Sequence, residues 1–112
     1  MARLSYLELP VQDLAAAKAF YTAVFGLGFS DFGPTYAATT TGDTDIGLQA
    51  DQGEASAAML PVIQVDDLEA TEAAVRAAGG AITRAPFDFP GGRRFHFRDG
   101  AGHELAAARY DE

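Results

Sequence analysis

Apolar and polar positions along this 112-residue chain fall into one rhythm that is played twice. Residues 3–10, Arg-Leu-Ser-Tyr-Leu-Glu-Leu-Pro, alternate and stop at a proline, which predicts a first strand. The spacing then changes: Leu14, Ala17, Tyr21 and Val24 recur at intervals of three, four and three, which keeps one face of a helix apolar. Asp13 predicts the N-cap of that helix and Gly26 its stop. Three strands are expected near 28–32, 35–41 and 44–50, separated by the turn pairs Gly33-Pro34 and Gly42-Asp43. After a polar connector the order returns, with a strand over 58–66, a helix over 67–78, the stop Gly79-Gly80, and strands near 81–85, 92–98 and 103–109. Residues 85–92, Ala-Pro-Phe-Asp-Phe-Pro-Gly-Gly, read as a loop carrying Phe87 and Phe89.

Sliding the sequence by 54 positions lays Val11-Gln12-Asp13-Leu14 on Val65-Asp66-Asp67-Leu68, and the helical stripe recurs as Leu68, Thr71, Val75 and Ala78. A repeat of half the chain length means two copies of one supersecondary unit building a shared core. The expectation is an α+β fold: two βαβββ repeats forming a half-open, eight-stranded barrel with both helices on one side. One domain spans 1–112, with repeat units of about 1–51 and 58–112 and a connector at 52–57. A cavity between the copies is the expected place for function.

Composition narrows the function classes. Lys plus Arg is 8 against 16 for Asp plus Glu, a net charge of −8, which repels phosphate backbones and argues against nucleic-acid binding. Arg84, Arg93, Arg94 and Arg98 nevertheless gather locally, either as solvated strand charge or as a positive spot for an anionic ligand. The absence of cysteine excludes disulfides, thiolate metal sites and Cys nucleophiles. No apolar run approaches the ~20 residues needed to span a bilayer. Met1-Ala2-Arg3-Leu4 enters a strand pattern directly rather than a signal peptide, so a soluble, cytoplasmic protein is expected.

Leu9-Pro10-Val11-Gln12-Asp13-Leu14, followed by Ala19-Phe20-Tyr21-Thr22-Ala23-Val24-Phe25-Gly26-Leu27, resembles the opening strand and helix of the vicinal oxygen chelate superfamily of glyoxalases, bleomycin-resistance proteins and dioxygenases. Val65-Asp66-Asp67-Leu68 with Ala78-Gly79-Gly80 resembles the second such unit, and Arg98-Asp99-Gly100-Ala101-Gly102-His103 stands as a degenerate form of its last turn. The resemblance implies a divalent ion held by one His or Glu from each of four strands. Registered on this sequence, those positions fall on Tyr6, on Gly47 or its in-phase neighbour Gln49, on Leu60 and on Ala106. Leu60, Ala106 and Gly47 offer no side-chain donor and a neutral tyrosine is a poor one, so no metal and no cofactor are expected.

Candidate chemistry then rests on other side chains. Glu8 shares the inward face of the first strand with Tyr6 and is expected to serve as a general base, as an acceptor for a ligand amine or hydroxyl, or as the partner of an arginine. In Arg94-Phe95-His96-Phe97-Arg98 the phenylalanines are expected under the second helix, which turns Arg94, His96 and Arg98 inward and sets His96 beside Ala106. Arg98 and Glu104 are expected as a cross-strand ion pair, His103 has no assigned role, and Phe87 and Phe89 are expected on a cavity rim. The ligand-binding set is thus Tyr6, Glu8, Gln49, Phe87, Phe89, Arg94 and His96. The resulting expectation is a metal-free, homodimeric binder of a small organic molecule, with no nucleic-acid or membrane partner. The alternative is a lyase-, isomerase- or dioxygenase-type enzyme acting on a small carbonyl compound, with Glu8 or His96 transferring the proton.

Overall fold

Both helices begin with the same capping device. Asp13 and Asp67 adopt extended backbone, and each accepts a 3.0 Å hydrogen bond from the backbone N–H three residues on, at Ala16 and Ala70. One orphan donor of each first turn is thereby satisfied. The first helix, α1 (Leu14–Phe25), stops at Gly26, whose φ of 71° lies in the left-handed region that glycine enters without penalty. The computed structural model, which describes residues 2–111, places ahead of it β1 (Arg3–Pro10), so the bounds of both elements agree with those the apolar pattern predicts. The strands that follow are shorter than expected: β2 (Ser30–Asp31), β3 (Tyr36–Ala38) and β4 (Asp45–Gln49). The second copy comprises β5 (Leu60–Gln64), α2 (Leu68–Ala77), β6 (Ala81–Phe89), β7 (Gly92–Arg98) and β8 (Glu104–Tyr110). The architecture is α+β, as expected, and no described helix is long and apolar enough to cross a membrane.

Two compact units share one topology. In the unit Tyr6–Leu60 the strand order is β2-β3-β4-β1, with β1 parallel to β4 and the other pairings antiparallel. Helix α1 packs on β3 and β4, over the fully buried Ala37 and Leu48. The other unit joins the residues up to Ser5 to those from Pro61 onward, and its order is β6-β7-β8-β5, again with only the last pair parallel. Helix α2 packs on β6, β7 and β8. Its core is Leu68, Phe95 and Ala107, flanked by Val65, Val75, Ile82 and Phe97. Phe95 and Phe97 therefore do lie under the second helix.

Three expectations are corrected. The stripe on α1 is not a buried one: Leu14, Ala17 and Tyr21 are half-buried, Val24 is 54% exposed, and the helix has no buried residue. Residues 85–89 are strand rather than loop, because β6 absorbs Pro86 through shifts of register against β7 and turns only at Pro90-Gly91. Arg98 and Glu104 are opposite each other on β7 and β8 but do not form the expected pair. Arg98 donates to the Gly102 carbonyl at 3.0 Å, and Glu104 accepts the Thr83 hydroxyl at 2.7 Å.

Candidate functional site

Strand register decides which side chains meet. In the first unit Glu8 pairs with Gly47 across β1 and β4, and Gly47 pairs with Ala38 across β4 and β3. With a side-chain period of two, Tyr6, Glu8, Tyr36 and Gly47 then share one face. Glu8 is 4% exposed. Tyr36 donates its hydroxyl proton to Glu8 Oε2 at 3.1 Å. That proton being committed, Tyr6 donates in turn to the Tyr36 oxygen. Burial pushes the Tyr36 hydroxyl well above the ordinary tyrosine range, and the charge of Glu8 and the neighbouring Tyr6 push the same way, so it remains a donor at any physiological pH. Two aligned phenol dipoles thus end on one buried carboxylate, an arrangement suited to accepting a donor from a ligand or to receiving a proton.

Gly47 is what makes room for this chain of hydroxyls. A Cβ built there would overlap the Tyr6 and Tyr36 oxygens, so no side chain fits at position 47 while the tyrosines hold their places. Register also separates the two positions in question. Glu8 pairs with Gly47 as Val62 pairs with Ala106, and Glu8 and Val62 are related by the repeat offset of 54. Gly47, and not Gln49, is therefore the counterpart of Ala106. Gln49 is half-buried, and its side-chain oxygen accepts the Asp51 N–H at 3.0 Å.

In the second unit His96 faces Ala106 across β7 and β8, as the sequence predicts, and is 4% exposed. Its Nδ1 stands 3.8 Å from Glu104 Oε2, and its ring meets Phe87 edge-on with centroids 5.7 Å apart. Arg94, opposite Ala108, holds its guanidinium 5.4 Å from the centre of the Phe87 ring and 5.5 Å from that of Phe89. The Arg84 guanidinium carbon lies over Phe87, 3.7 Å from the centre of its ring. Phe87 and Phe89 are half-buried members of a strand, not of a loop. A separate hollow of about 450 Å³ lies on the α2 side of this unit, lined by Ile63, Val65, Ala70, Ala74 and Phe97 among others, and none of the predicted site residues lines it.

The predicted residues thus assemble as two groups. One is Tyr6 with Glu8, and the other is Phe87, Phe89, Arg94 and His96, while Gln49 is engaged in a turn. Two members were missed. Tyr36 sits opposite Gln49 on β3 as Arg94 sits opposite Ala108 on β7, so carrying the repeat through to this strand would have marked it. Arg84 was seen only as one of several local charges.

The four positions that the resemblance assigns to metal ligands do not suit an ion. Leu60 is 1% exposed and Ala106 fully buried, neither with a donor atom, and Gly47 has its side-chain space taken by tyrosine oxygens. Among the described residues no three His, Cys, Asp or Glu side chains come together as a possible cation site.

Comparison with known proteins places these features. The sequence profile of the Glyoxalase/Bleomycin resistance protein/Dioxygenase superfamily matches residues 3–107. None of the curated proteins matches the chain. Among solved structures, the hypothetical protein BH1468 from Bacillus halodurans C-125 superposes with a TM-score of 0.84 at 15% identity, covering 99% of this chain and 96% of that one. A methylmalonyl-CoA epimerase variant from Streptomyces coelicolor, in complex with 2-nitronate-propionyl-CoA, gives a TM-score of 0.79 at 16% identity over 98% of both chains. The Mn(II)-bound glyoxalase from Novosphingobium aromaticivorans gives 0.71 at 24% identity, covering 97% of this chain but 40% of its own. At these identities the likeness is one of fold.

Proposed function

The chain belongs to the Glyoxalase/Bleomycin resistance protein/Dioxygenase superfamily, and we propose that it is a member that binds a small organic molecule without the superfamily's metal ion. One observation carries this reading: the tyrosine hydroxyls over Gly47 fill the place where an ion ligand would project, and feed a buried Glu8 instead. Polar groups set on rigid strands among aromatic walls are the ordinary make-up of an organic-ligand site. Tyr6, Glu8 and Tyr36 supply it in one unit, and Phe87, Phe89, Arg94 and His96 in the other. Gln49 stays in the proposed set as a neighbour whose turn contact a ligand amide could replace. The protein is taken to act as a cytoplasmic homodimer, which sedimentation equilibrium tests directly.

Elemental analysis and metal titration of the purified protein are the test. The expected result is no stoichiometric Ni(II), Zn(II) or Fe(II), with thermal shifts produced by organic compounds in metal-free buffer. Tight binding of one such ion per chain would overturn the reading.

A second reading is supported by the Tyr36–Glu8 bond. A buried carboxylate held by a neutral phenol is equipped to take a proton next to a carbonyl, and an epimerase acting on a CoA ester shares the fold. Proton exchange at the α-carbon of a 2-oxo compound or thioester, followed by NMR in deuterium oxide, separates the two. Exchange that is lost in Glu8→Gln or His96→Ala favours the enzyme. Binding without exchange favours the binder.

A further inference from the structure

Helices α1 and α2 are counterparts in the repeat, yet their outward faces differ in kind. Helix α2 presents charge to solvent: Glu69 and Arg76 are exposed, and Arg76 pairs with Glu72 at 3.2 Å. Helix α1 carries a single charge in 12 residues, Lys18, and that side chain is half-buried and tied to Asp31 on β2 at 2.6 Å. The Thr22 hydroxyl is engaged with the Leu27 carbonyl at 2.7 Å. With Leu14, Ala17 and Tyr21 turned toward the sheet, helical spacing turns Ala16, Ala19, Phe20, Ala23 and Val24 away from it, and all five are exposed. Phe20 is 57% exposed, and Phe25 at the helix end 66%. Tyr21 links the two, meeting Phe20 edge-on at 5.2 Å and Phe25 stacked at 6.5 Å between ring centres.

A helix that is apolar on every side is ordinarily covered on every side. The exposed parts of Phe20, Val24, Phe25 and the alanines amount to roughly 500 Å² per copy, close to the apolar share of the ~800 Å² that each partner gives to a stable homodimer. Charge points to a second copy as the cover. Molecules of net charge −8 repel one another, and α1 offers a face on which two of them can meet without burying a charge. The face also suits itself. The methyl side chains at 16, 19 and 23 leave room beside Phe20 for the ring of an identical helix, so one two-fold contact supplies both knob and hole. An anionic lipid surface would repel the acidic protein, and this face carries no lysine or arginine to hold it there.

We propose that the outward face of α1 docks on the same face of a second copy of this chain. This rests on the homodimer that accompanies the small-molecule-binding reading, and it names the surface that forms it.

Sedimentation equilibrium of the intact protein and its variants tests the assignment. The expected result is a reversible dimer whose Kd rises at least about a hundredfold in Phe20→Glu. Ala23→Glu should act in the same direction without removing a ring. Ala77→Glu, which adds the same charge at the position of α2 that corresponds to Ala23, should leave the Kd unchanged. Added salt should tighten the dimer, because it screens the repulsion between two acidic molecules and breaks no ion pair at the contact. The chain has no cysteine of its own, so Ala19→Cys and its α2 counterpart Ala73→Cys each give one reporter thiol. The first should react more slowly with a thiol reagent as protein concentration rises, the second at a constant rate. Circular dichroism establishes that each variant is folded. A protein that stays monomeric at submillimolar concentration, a monomer that binds lipid vesicles instead, or a dimer left intact by both Phe20→Glu and Ala23→Glu would overturn the docking of α1. The last result would leave the homodimer standing on another surface. None of these residues belongs to the proposed ligand set, so the metal and ligand titrations stand or fall separately.

Discussion

Replacing Gly47 by alanine is the sharpest perturbation the structure offers, because one methyl group reports on the whole hydroxyl chain. The added carbon would overlap the Tyr6 and Tyr36 oxygens, and Gly47 is itself buried between Glu8 and Ala38. Relief requires the tyrosine rings to swing or the strands to part. Overpacking of this kind costs about 1–3 kcal/mol. If Tyr36 swings, Glu8 also loses a hydrogen bond of a kind worth roughly 1.5–3 kcal/mol when the acceptor is charged. A domain of this length loses about 4 °C of Tm per kcal/mol, so a fall of roughly 4–12 °C is expected from packing alone. The assay is urea and thermal unfolding followed by circular dichroism, with Tyr6→Phe and Tyr36→Phe as companions. Removing an oxygen makes space for the methyl, so each double variant should be more stable than the sum of its single changes predicts, by about 0.5 kcal/mol or more. Wild-type stability in Gly47→Ala, or strict additivity in both double variants, would refute the reasoning.

Other outcomes follow from neighbouring geometry. Asp45 accepts hydrogen bonds from the Thr41 N–H, the Thr39 and Thr41 hydroxyls and the Gly42 N–H. Desolvation pushes its carboxyl upward, but these bonds outweigh it and hold the pKa below the ordinary aspartate value. Its contribution is therefore present above the unfolded value of about 3.9 and is lost as pH falls through the lower folded value, so Asp45→Asn should flatten the decline of stability below about pH 4 in acid titrations. Asp67→Ala removes the acceptor for Ala70 and should lower unfolding free energy by about 1 kcal/mol in urea melts. Phe95→Ala empties a fully buried site in the α2 core and should cost about 3–5 kcal/mol, enough to leave much of the protein unfolded at 37 °C by circular dichroism. Glu8→Gln keeps the Tyr36 contact but removes the charge, so it should weaken a cationic ligand more than a neutral one in calorimetric titration.

Local signals carried the sequence reading where neighbours along the chain decide structure. Pro10, Asp13 and Gly26 mark the ends of β1 and α1 because each acts on backbone dihedrals or on hydrogen bonds within a few residues. His96 was correctly set beside Ala106, since a hairpin's register follows from its turn. The failures occurred where distant strands decide. Tyr36 reaches Glu8 only through the pairing of β3 with β4 and of β4 with β1, and nothing within ten residues of Tyr36 announces it. Arg84 was hidden by the first register shift, since strict alternation from Ile82 puts it on the core face. Pro86 favoured a loop for the same reason: its missing N–H excludes a regular inner strand but not an interrupted outer one.

Strand β6 closes the order β5-β8-β7-β6, so among the described residues no other strand pairs with its far side. An even row of amide and carbonyl groups there would invite a second molecule to dock and the protein to polymerise. With two surplus residues and a proline, β6 offers such a newcomer no evenly spaced ladder. The two register shifts therefore also make β6 a poor template for further pairing, and a β6 straightened by removing its surplus residues is expected to turn a clear, concentrated solution cloudy.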